Sequence, residues 1–219
     1  MQLHRSDVVA KAAEILDNYG IADLTMRRLA RELNVSPGAL YWHFADKQEL
    51  LGAVADRLLA AAGTGAPNGD WPDRIVALCT GLRDALLSCT DGAELVSASF
   101  SAGRSAELGW IVDALALAAA DSGLSADDAE LAARTVIYYV LGFTADEQSR
   151  IQWDAAGAEV AGATEVWTEN AGARFTFGLG LLVGGLAAYD GTDGLGRSLP
   201  QPMLNRDVGF GSGWLPRSR

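Results

Sequence analysis

Apolar residues recur every three to four positions along most of the chain, which is the spacing of amphipathic helices. Helices are predicted over residues 6–19, 25–33, 37–44, 46–62, 72–88, 93–102, 107–122, 126–150 and 171–189. Several start signals precede them, since Ser6, Thr25, Ser36, Asp46 and Ser125 are residue types that cap helix N-termini. The predicted fold class is therefore all-α.

Two stretches rich in glycine and proline interrupt the helical pattern. Residues 63–72 combine Gly, Pro, Asn and Asp and form the first clear break. Residues 190–219 hold six glycines and three prolines without periodicity, which predicts a disordered or loosely attached tail. The expected domains are residues 1–62, residues 63–189 and this tail.

The densest set of local signals lies in residues 25–47 (TMRRLARELNVSPGALYWHFADK). Leu29 and Ala30 belong to the apolar face of a first helix, and Asn34 follows at the point where a left-handed residue ends a helix. Pro37 then suits the first turn of a second helix. Two short helices joined by a tight turn form a helix-turn-helix, whose second helix can lie in the major groove of DNA.

Charge is distributed unevenly between this segment and the rest of the chain. The net charge is −11, which argues against a general nucleic-acid binder. Residues 1–47 carry six Lys or Arg and six Asp or Glu, so the whole net charge falls on residues 48–219. An acidic body that repels DNA, beside a neutral module with clustered arginines, favours a site-specific binder over a coating protein.

The helix-turn-helix segment resembles that of the TetR family of transcriptional repressors. The matching positions are residues 24–30 (LTMRRLA), Leu33, residues 39–44 (ALYWHF) and Lys47. LYWHF is specific to that family, whereas a bare helix-turn-helix pattern is a weak signal. The similarity is strongest to the tetracycline-repressor branch and extends more faintly to about Tyr189. The resemblance implies an N-terminal three-helix helix-turn-helix domain for DNA binding and a larger helical domain for ligand binding and dimerisation.

The resemblance also implies a set of DNA-contacting residues. They are Thr25, Arg27, Arg28, Ser36, Ala39, Tyr41, Trp42, His43 and Lys47. Arg27 lies where the first helix of the family's head reaches a base. Four others match phosphate contacts: Thr25, Tyr41, His43 and Lys47. For Trp42, packing within the head and exposure to the groove both stay open.

The base-reading positions at the start of the second helix are occupied by small residues. Ser36, Pro37, Gly38 and Ala39 offer little hydrogen-bonding capacity beyond one hydroxyl and the backbone. The operator is therefore expected to differ from the tetracycline operator. His43 has no second metal ligand at suitable spacing, so no metal site is expected there.

In the body, the resemblance places an effector pocket among helices that carry many aromatic residues. Its expected lining residues are Phe100, Trp110, Tyr138, Tyr139, Phe143, Asp146, Trp153 and Trp167. Plain core packing is the alternative for each aromatic residue. Polar side chains that could orient a ligand also include Ser97, Ser99, Thr144, Glu147, Gln148 and Asn170.

Two predicted helices are too apolar for a monomer to cover. The helix over residues 126–150 is apolar on more than one face, and the helix over residues 171–189 is glycine-rich. A helix that is apolar nearly all round is buried, in some cases by another subunit. Glycines at 178, 180, 184 and 185 permit close helix approach at a cost of up to about 1 kcal/mol each. These helices are expected to form a four-helix bundle in a homodimer.

Several other functions lack a sequence signal. Nucleophile-elbow, zinc and P-loop patterns are absent, so the chain is not expected to be an enzyme or to hold a cofactor. Cys79 and Cys89 are expected to be buried thiols on one helix, too far apart for a disulfide. The apolar run over residues 175–189 falls short of a membrane span and is interpreted as a buried helix. Without a signal-peptide pattern, the expected location is cytoplasmic.

Magnesium–tetracycline is not the expected effector. Alignment of residues 91–93 with the tetracycline repressor puts Val96 at the position of a metal-ligating histidine. A second drug-contacting histidine falls within residues 60–62, which are all alanine. One acid without imidazole is a poor magnesium site. The expected effector is therefore a metal-free aromatic or hydrophobic molecule.

The sequence thus predicts a cytoplasmic, homodimeric repressor that binds double-stranded operator DNA and leaves it when a small molecule binds. Two alternatives stay open. One is an activator or ligand-independent regulator on the same scaffold, and the other is a small-molecule carrier or enzyme that has lost DNA binding. Arg27, Tyr41 and Lys47 argue against the second alternative.

Overall fold

The structure is a computed structural model that describes residues 3–60, 67–157 and 170–189. In these ranges all of the regular secondary structure is helical, which confirms the all-α prediction. The helices are α1 (Arg5–Tyr19), α2 (Met26–Glu32), α3 (Pro37–Tyr41), α4 (Lys47–Leu59), α5 (Trp71–Leu87), α6 (Gly92–Ala102), α7 (Ala106–Ala120), α8 (Ala126–Ala155) and α9 (Ala171–Ala188). The expected tail over residues 190–219 lies outside the described residues.

Several helix boundaries differ from the sequence prediction. Helix α3 ends at Tyr41 rather than at Phe44, and α4 ends at Leu59 rather than at residue 62. The first helix begins at Arg5 rather than after Ser6, and His4 is its N-cap. Asp7 lies in the first turn of that helix and its carboxylate accepts the His4 backbone N–H at 3.0 Å, which moves the start toward the N-terminus. Helix α8 continues past residue 150 to Ala155, because nothing in that stretch breaks the helix before Gly157, which has a φ of 69°.

Helices α1 to α4 form the part of the fold that we call the head. They pack around a shared set of apolar side chains. The largest fully buried side chains of this core include Ile15, Leu16, Leu24, Leu29, Leu40, Phe44 and Leu50. Phe44, just beyond α3, is completely buried in this core and packs beneath the helix-turn-helix. Burial of such a side chain stabilises the fold by about 1.5–3 kcal/mol. The short helices α2 and α3 therefore depend on this shared core rather than on their own length.

The remaining described helices form the body. Helices α7 and α8 pack along each other, and α5 and α6 cover them. The core here includes Ile75, Leu82, Leu86, Leu95, Leu115 and Ile137. Cys79 is buried in α5, whereas Cys89 lies beyond the end of that helix, so the two cysteines do not share one helix as expected. Both thiols are free.

The head meets the body along α4, where a glycine permits very close contact. A Cβ atom on Gly52 would collide with the backbone carbonyl of Arg104, in the turn between α6 and α7. The carboxylate of Asp56 on α4 also accepts hydrogen bonds from the Ser105 hydroxyl at 2.7 Å and the Glu107 N–H at 3.1 Å. Helix α4 is thus fixed to the body at its middle.

Helix α9 is largely exposed in the single chain. Only Phe175 and Leu179 are buried, whereas the side chains of Phe177 and Leu181 are 71% and 63% exposed. Among the described residues, α9 is the one helix long and apolar enough to span a membrane, and 11% of it is buried. The expectation of a buried helix is therefore wrong for the isolated chain, since one side of α9 packs on α8 and α5 and the other is uncovered.

Candidate nucleic-acid interface

The turn between α2 and α3 is built by the local signals that the sequence predicted. The Thr25 hydroxyl accepts the Arg28 N–H at 3.1 Å, and the Ser36 hydroxyl accepts the Ala39 N–H at 3.3 Å. Asn34 has a φ of 54°, in the left-handed region, and ends α2. The next N–H, of Val35, donates back to the Ala30 carbonyl at 2.9 Å. These bonds fix the angle between the two helices and so orient α3.

A group of unpaired side chains projects from this turn. The side chain of Trp42 is 90% exposed, so the structure resolves the open alternative in favour of exposure. Arg27 and Tyr41 are also exposed, and the partly exposed Lys47 begins α4. Within the described residues, these four side chains form no hydrogen bond or ion pair. We call Arg27, Tyr41, Trp42 and Lys47 the exposed head group.

The remaining predicted contact residues lie on the same short elements. Thr25 and Ser36 are exposed, whereas Ala39 and His43 are partly buried. The hydroxyls of Thr25 and Ser36 are occupied as helix caps, although each oxygen retains capacity for a further hydrogen bond. The structure thus brings the predicted DNA-contacting residues together around one turn, with one exception.

Arg28 is that exception, because its guanidinium is engaged within the head. It lies over the ring of Tyr19, 3.8 Å from the ring centre, and donates to the Asp23 carboxylate at 2.6 Å. Its side chain is mostly buried. The arrangement joins α2 to the end of α1. Of the two adjacent arginines, Arg27 is available to a ligand and Arg28 serves the structure of the head.

A second arginine braces the head and was not identified from the sequence. The guanidinium of Arg5 donates to the backbone carbonyl of His43 and to the Glu49 carboxylate, and lies 4.0 Å from the centre of the Phe44 ring. Glu49 also accepts the Ala45 N–H at 2.8 Å. The Ala45 N–H has the larger effect and the Arg5 guanidinium the smaller one, and both lower the pKa of Glu49 below its usual value. Arg5 therefore ties α1 to the junction of α3 and α4.

A modified capping box of two acidic residues begins α4. The Asp46 carboxylate accepts the Glu49 N–H at 2.8 Å, as a capping residue does. Glu49 reaches back to Ala45 instead of to Asp46 itself. Asp46 was expected to cap this helix, and the contact of Glu49 with Ala45 adds a second bond at the same helix start.

The aromatic residues expected to line an effector pocket do not gather around one cavity in the described residues. Phe100 makes edge contact with Tyr138, with ring centres 5.7 Å apart. Tyr139 and Phe143 instead pack with Phe175 of α9, at 5.6 and 5.4 Å. The Tyr139 hydroxyl donates to the Phe175 carbonyl at 2.8 Å. Burial raises the pKa of Tyr139, so this hydroxyl stays protonated at neutral pH.

The other expected lining residues are dispersed. Trp110 and Trp153 are exposed and make no ring contact within the described residues. Asp146 is ion-paired with Arg150 at 2.9 Å on the surface of α8. Trp167 lies outside the described residues. The cluster of Tyr139, Phe143 and Phe175 is therefore the main aromatic contact between α8 and α9.

An ion pair borders this aromatic cluster. Arg83 of α5 donates to both carboxylate oxygens of Glu147, at 2.9 and 2.6 Å, and its guanidinium lies 5.1 Å from the centre of the Phe175 ring. Both side chains are almost fully buried. The signal for Arg83 was its spacing of four residues from Cys79, which places a charge on an apolar face.

Several polar residues considered as ligand-orienting groups have structural partners instead. The hydroxyls of Ser99 and Thr144 donate to backbone carbonyls one helical turn earlier, at 3.0 and 2.7 Å. The Gln148 side chain binds the backbone of the α5–α6 turn. Burial raises the pKa of the Cys79 and Cys89 thiols to about 12 and about 11, so neither is a thiolate at neutral pH.

Comparison with known proteins shows matches to two family profiles. The profile described as "Bacterial regulatory proteins, tetR family" matches residues 8–54, which hold the helix-turn-helix. The profile described as "Tetracyclin repressor-like, C-terminal domain" matches residues 64–169. The class C tetracycline repressor of Escherichia coli is 31% identical over 206 residues, covering 84% of this chain and 91% of that protein. The chain belongs to the TetR family.

Solved structures of TetR-family regulators have the same fold. BioQ of Mycobacterium smegmatis is 60% identical, with a TM-score of 0.77, over 85% of this chain and 99% of that one. A structure of BioQ with its natural double-stranded DNA operator is 58% identical, with a TM-score of 0.75, over 86% of this chain and all of that one. The relatives are transcriptional regulators rather than enzymes.

TetR-family membership confirms the predicted function at the level of the family. The chain is a DNA-binding transcriptional repressor, and repressors of this type typically act as dimers and respond to small molecules. The resemblance to the tetracycline-repressor branch is confirmed as well. A regulator that acts on DNA is a soluble protein, which agrees with the predicted location.

Proposed function

We propose that this TetR-family repressor reads its operator with the exposed head group and with the ends of α2 and α3. The proposal is carried by one observation: the side chains of Arg27, Tyr41, Trp42 and Lys47 are unpaired within the described residues and lie on the helix-turn-helix and at the start of α4. The domains that follow are residues 1–62 for DNA binding and residues 63–189 for effector binding and dimerisation. Residues 190–219 are the tail.

The contact residues divide by role. Arg27 is proposed to read a base, because a free guanidinium on α2 can bind guanine through two hydrogen bonds. Thr25, Tyr41, His43 and Lys47 are proposed to bind phosphates, which fix orientation without reading sequence. Trp42 adds an exposed ring beside α3, and Ser36 and Ala39 face the bases with little hydrogen-bonding capacity. Arg28 is removed from this set, because its guanidinium is held by Tyr19 and Asp23.

The protein is proposed to bind DNA as a homodimer in the cytoplasm. The uncovered apolar face of α9, together with Leu131 and Tyr138 exposed on α8, is the surface offered to the second subunit. Gly180, Gly184 and Gly185 on α9 face open space, so a partner helix could come close there. Two heads reading successive major grooves must lie about 34–36 Å apart.

The effector is proposed to be a metal-free aromatic or hydrophobic molecule bound in the body. Val96, at the position of the family's metal-ligating histidine, is completely buried among apolar residues and has no donor atom. Rings are available at Phe100 and Tyr138 and at the Tyr139 cluster. Such a ligand releases the operator by binding more tightly to the conformer whose heads have the wrong spacing.

Operator binding is tested by fluorescence anisotropy with two duplexes: the intergenic DNA beside the chain's own gene and the operator bound by BioQ. Wild-type protein should bind at least one of them specifically. Arg27→Ala should cost about 1–3 kcal/mol and relax specificity at one position per half-site. Lys47→Ala should weaken all sequences alike and reduce the salt slope by about one.

Asp113→Asn serves as the control, since Asp113 is an exposed charged residue of the body on α7. It should leave binding unchanged. If Arg27→Ala weakened every sequence equally, the base-reading role would be wrong. Binding of neither duplex by the wild-type protein would contradict the proposed operator function.

The metal-free effector is tested by calorimetry with tetracycline, with and without magnesium. Weak or absent binding in both conditions is the expected result, because Val96 supplies no ligand to the ion. Tight binding that requires magnesium would overturn the proposal. A panel of flat aromatic compounds, scored by release of labelled operator, then identifies the chemical class that acts.

A further inference from the structure

Asp91, in the turn between α5 and α6, is bonded to two helices that are distant in sequence. Its Oδ2 accepts the backbone N–H of Ile21, just beyond the end of α1, at 3.0 Å. Its Oδ1 accepts the side-chain amide N–H of Gln152, on α8, at 2.8 Å. One carboxylate therefore joins the head to the long helix of the body.

The backbone at both ends of the first contact is specialised. Asp91 has a φ of 55° and a ψ of 25°. These values lie in the left-handed region of the backbone, which residues other than Gly, Asn and Asp rarely adopt. Gly20 has a φ of 78°, and a Cβ atom on it would lie 2.6 Å from Oδ2 of Asp91. The close fit of the Asp91 carboxylate against α1 thus depends on a glycine at position 20.

The same turn is held from both sides by further hydrogen bonds. Asp17 of α1 accepts the Thr90 N–H at 3.3 Å. Gln148 of α8 donates to the carbonyls of Leu86 and Cys89, at 2.9 and 2.8 Å, and accepts the Ala93 N–H at 3.0 Å. Gln148 and Gln152 are four residues apart, so they lie on one face of α8. The turn is a polar link between α1 and α8.

Two surface clefts flank this link. A cleft of about 410 Å³ separates α1 from α4 and the end of α5, and its lining includes Ala13, Asp17, Arg57 and Cys89. A second cleft of about 200 Å³ lies on the α8 side of the turn and includes Thr90 and Gln152. Between these clefts, the hydrogen bonds of Asp91 and Asp17 are the polar contacts that join α1 to the turn.

We infer that Asp91 is a positioning residue that sets the orientation of the DNA-reading head and ties it to α8. The inference rests on the proposed operator-reading role of the head. It adds a second connection to the body, independent of α4. A shift of the distal part of α8 reaches α1 through Gln152 and Asp91, so the spacing of the two heads responds to α8 as well as to α4.

Amide hydrogen exchange of the full chain tests the link without any DNA. Asp91→Gly keeps the left-handed backbone and removes both hydrogen bonds. The Ile21 amide should then exchange about tenfold faster or more, because a hydrogen bond to a charged group contributes more than about 1.4 kcal/mol. The Val35 amide, which bonds to Ala30 inside the head, should keep its wild-type rate and reports whether the head stays folded.

Two further variants separate positioning from general stability. Asp91→Asn should restore slow exchange at Ile21, because Asn also tolerates the left-handed backbone, its oxygen can accept the Ile21 N–H, and the Gln152 amide can rotate to accept from its nitrogen. Gln152→Ala removes only the α8 side and should speed exchange at Ile21 by a smaller factor. Asp113→Asn removes an exposed charge on α7 and should change neither amide.

Unchanged Ile21 exchange in Asp91→Gly would overturn the inference. Faster exchange at Ile21 and Val35 alike would also overturn it, because that result reports loss of the fold rather than of one contact. A wild-type rate in Gln152→Ala would remove the connection to α8. If the wild-type protein bound no operator, the proposed function would fail while the exchange results still decided the link.

The operator assay supplies the functional readout. Asp91→Gly should weaken binding of the wild-type operator about tenfold without changing the salt slope, because no phosphate contact is lost. Asp91→Asn should bind within about threefold of the wild type, since its restored bonds leave only the difference between a charged and a neutral acceptor. Equal operator binding by Asp91→Gly and the wild type would show that Asp91 does not position the head.

Discussion

The guanidinium of Arg28 lies 3.8 Å from the centre of the Tyr19 ring while the adjacent Arg27 points into solvent without a partner in the described residues. Two neighbouring arginines of identical charge therefore have different tasks. The first helps to hold α2 against α1, and the second is available to DNA. The distinction predicts different consequences when each is removed.

Arg28→Ala should lower stability rather than remove a DNA contact. Loss of the contact with Tyr19 and of the pair with Asp23 should cost about 1 kcal/mol, since each is a partly exposed interaction. The slope of operator affinity against salt concentration should stay at the wild-type value, whereas Arg27→Ala should change specificity. Denaturation and anisotropy at several salt concentrations provide the measurement. A lower slope in Arg28→Ala would return Arg28 to the DNA-contacting set.

The dimer should depend on the exposed face of α9. Leu181→Glu should raise the dissociation constant of the dimer at least about a hundredfold, because a buried leucine contributes about 1.5–3 kcal/mol and is lost twice per dimer. Sedimentation equilibrium at micromolar concentration is the measurement. Gly184→Leu should weaken the dimer through overpacking.

Leu117→Glu on α7 is the matched control for the dimer, since that leucine is 67% exposed and lies on another helix. It should leave the dimer intact. A wild-type monomer at micromolar concentration would show that the α9 face is not a subunit contact. So would a dimer that tolerates both Leu181→Glu and Gly184→Leu.

The buried pair of Arg83 and Glu147 should be costly to break. Glu147→Ala should destabilise the protein by about 3–5 kcal/mol, because it leaves a guanidinium buried without its carboxylate. Replacing both residues, as Arg83→Met with Glu147→Leu, should recover most of that loss. Glu130→Ala breaks an exposed pair on α8 and should cost at most about 0.5 kcal/mol.

Chemical denaturation of these variants must be compared at one protein concentration, because dimerisation contributes to apparent stability. Equal losses for Glu147→Ala and Glu130→Ala would mean that the buried pair is no more important than a surface pair. A double variant as unstable as Glu147→Ala would mean that the charge left behind is not the cause.

The head should lose stability at acid pH through Glu49. The pKa of this carboxyl is lowered from 4.5 by the Ala45 N–H and by Arg5. A lowered folded-state pKa means that the stabilisation is present above the unfolded value and is lost as the pH falls through the folded value. Melting temperatures of wild type and Glu49→Gln should therefore differ at pH 7 and converge as the pH falls below the usual pKa range of a glutamate. A constant difference across that range would contradict the assignment.

The sequence predicted those elements whose signals are local. Thr25, Ser36 and Asp46 cap their helices as expected, and Asn34 adopts the left-handed backbone that ends α2. Each of these assignments depends on bonds spanning three or four residues. The starts of the helices in the helix-turn-helix segment could therefore be placed within a residue, although α3 ends three residues earlier than predicted. The family followed from the side chains of this segment.

Contacts between distant residues could not be predicted in this way. The partner of Arg5 lies 44 positions away and that of Asp91 lies 70 positions away, so no periodicity encodes either. For the aromatic residues of the body, periodicity gives the helix but not which neighbouring helix each ring meets. Tyr138 and Tyr139 are adjacent in sequence, yet one contacts Phe100 and the other Phe175.

The collision that any side chain on Gly52 would cause has a kinematic consequence. Helix α4 meets the body at that glycine and again at Asp56, and α1 meets it through Asp17 and Asp91. Contacts spread along two helices leave the head little freedom to swing relative to the body of its own subunit. A change in the spacing of the two heads then requires a change within the body or in the contact between the subunits.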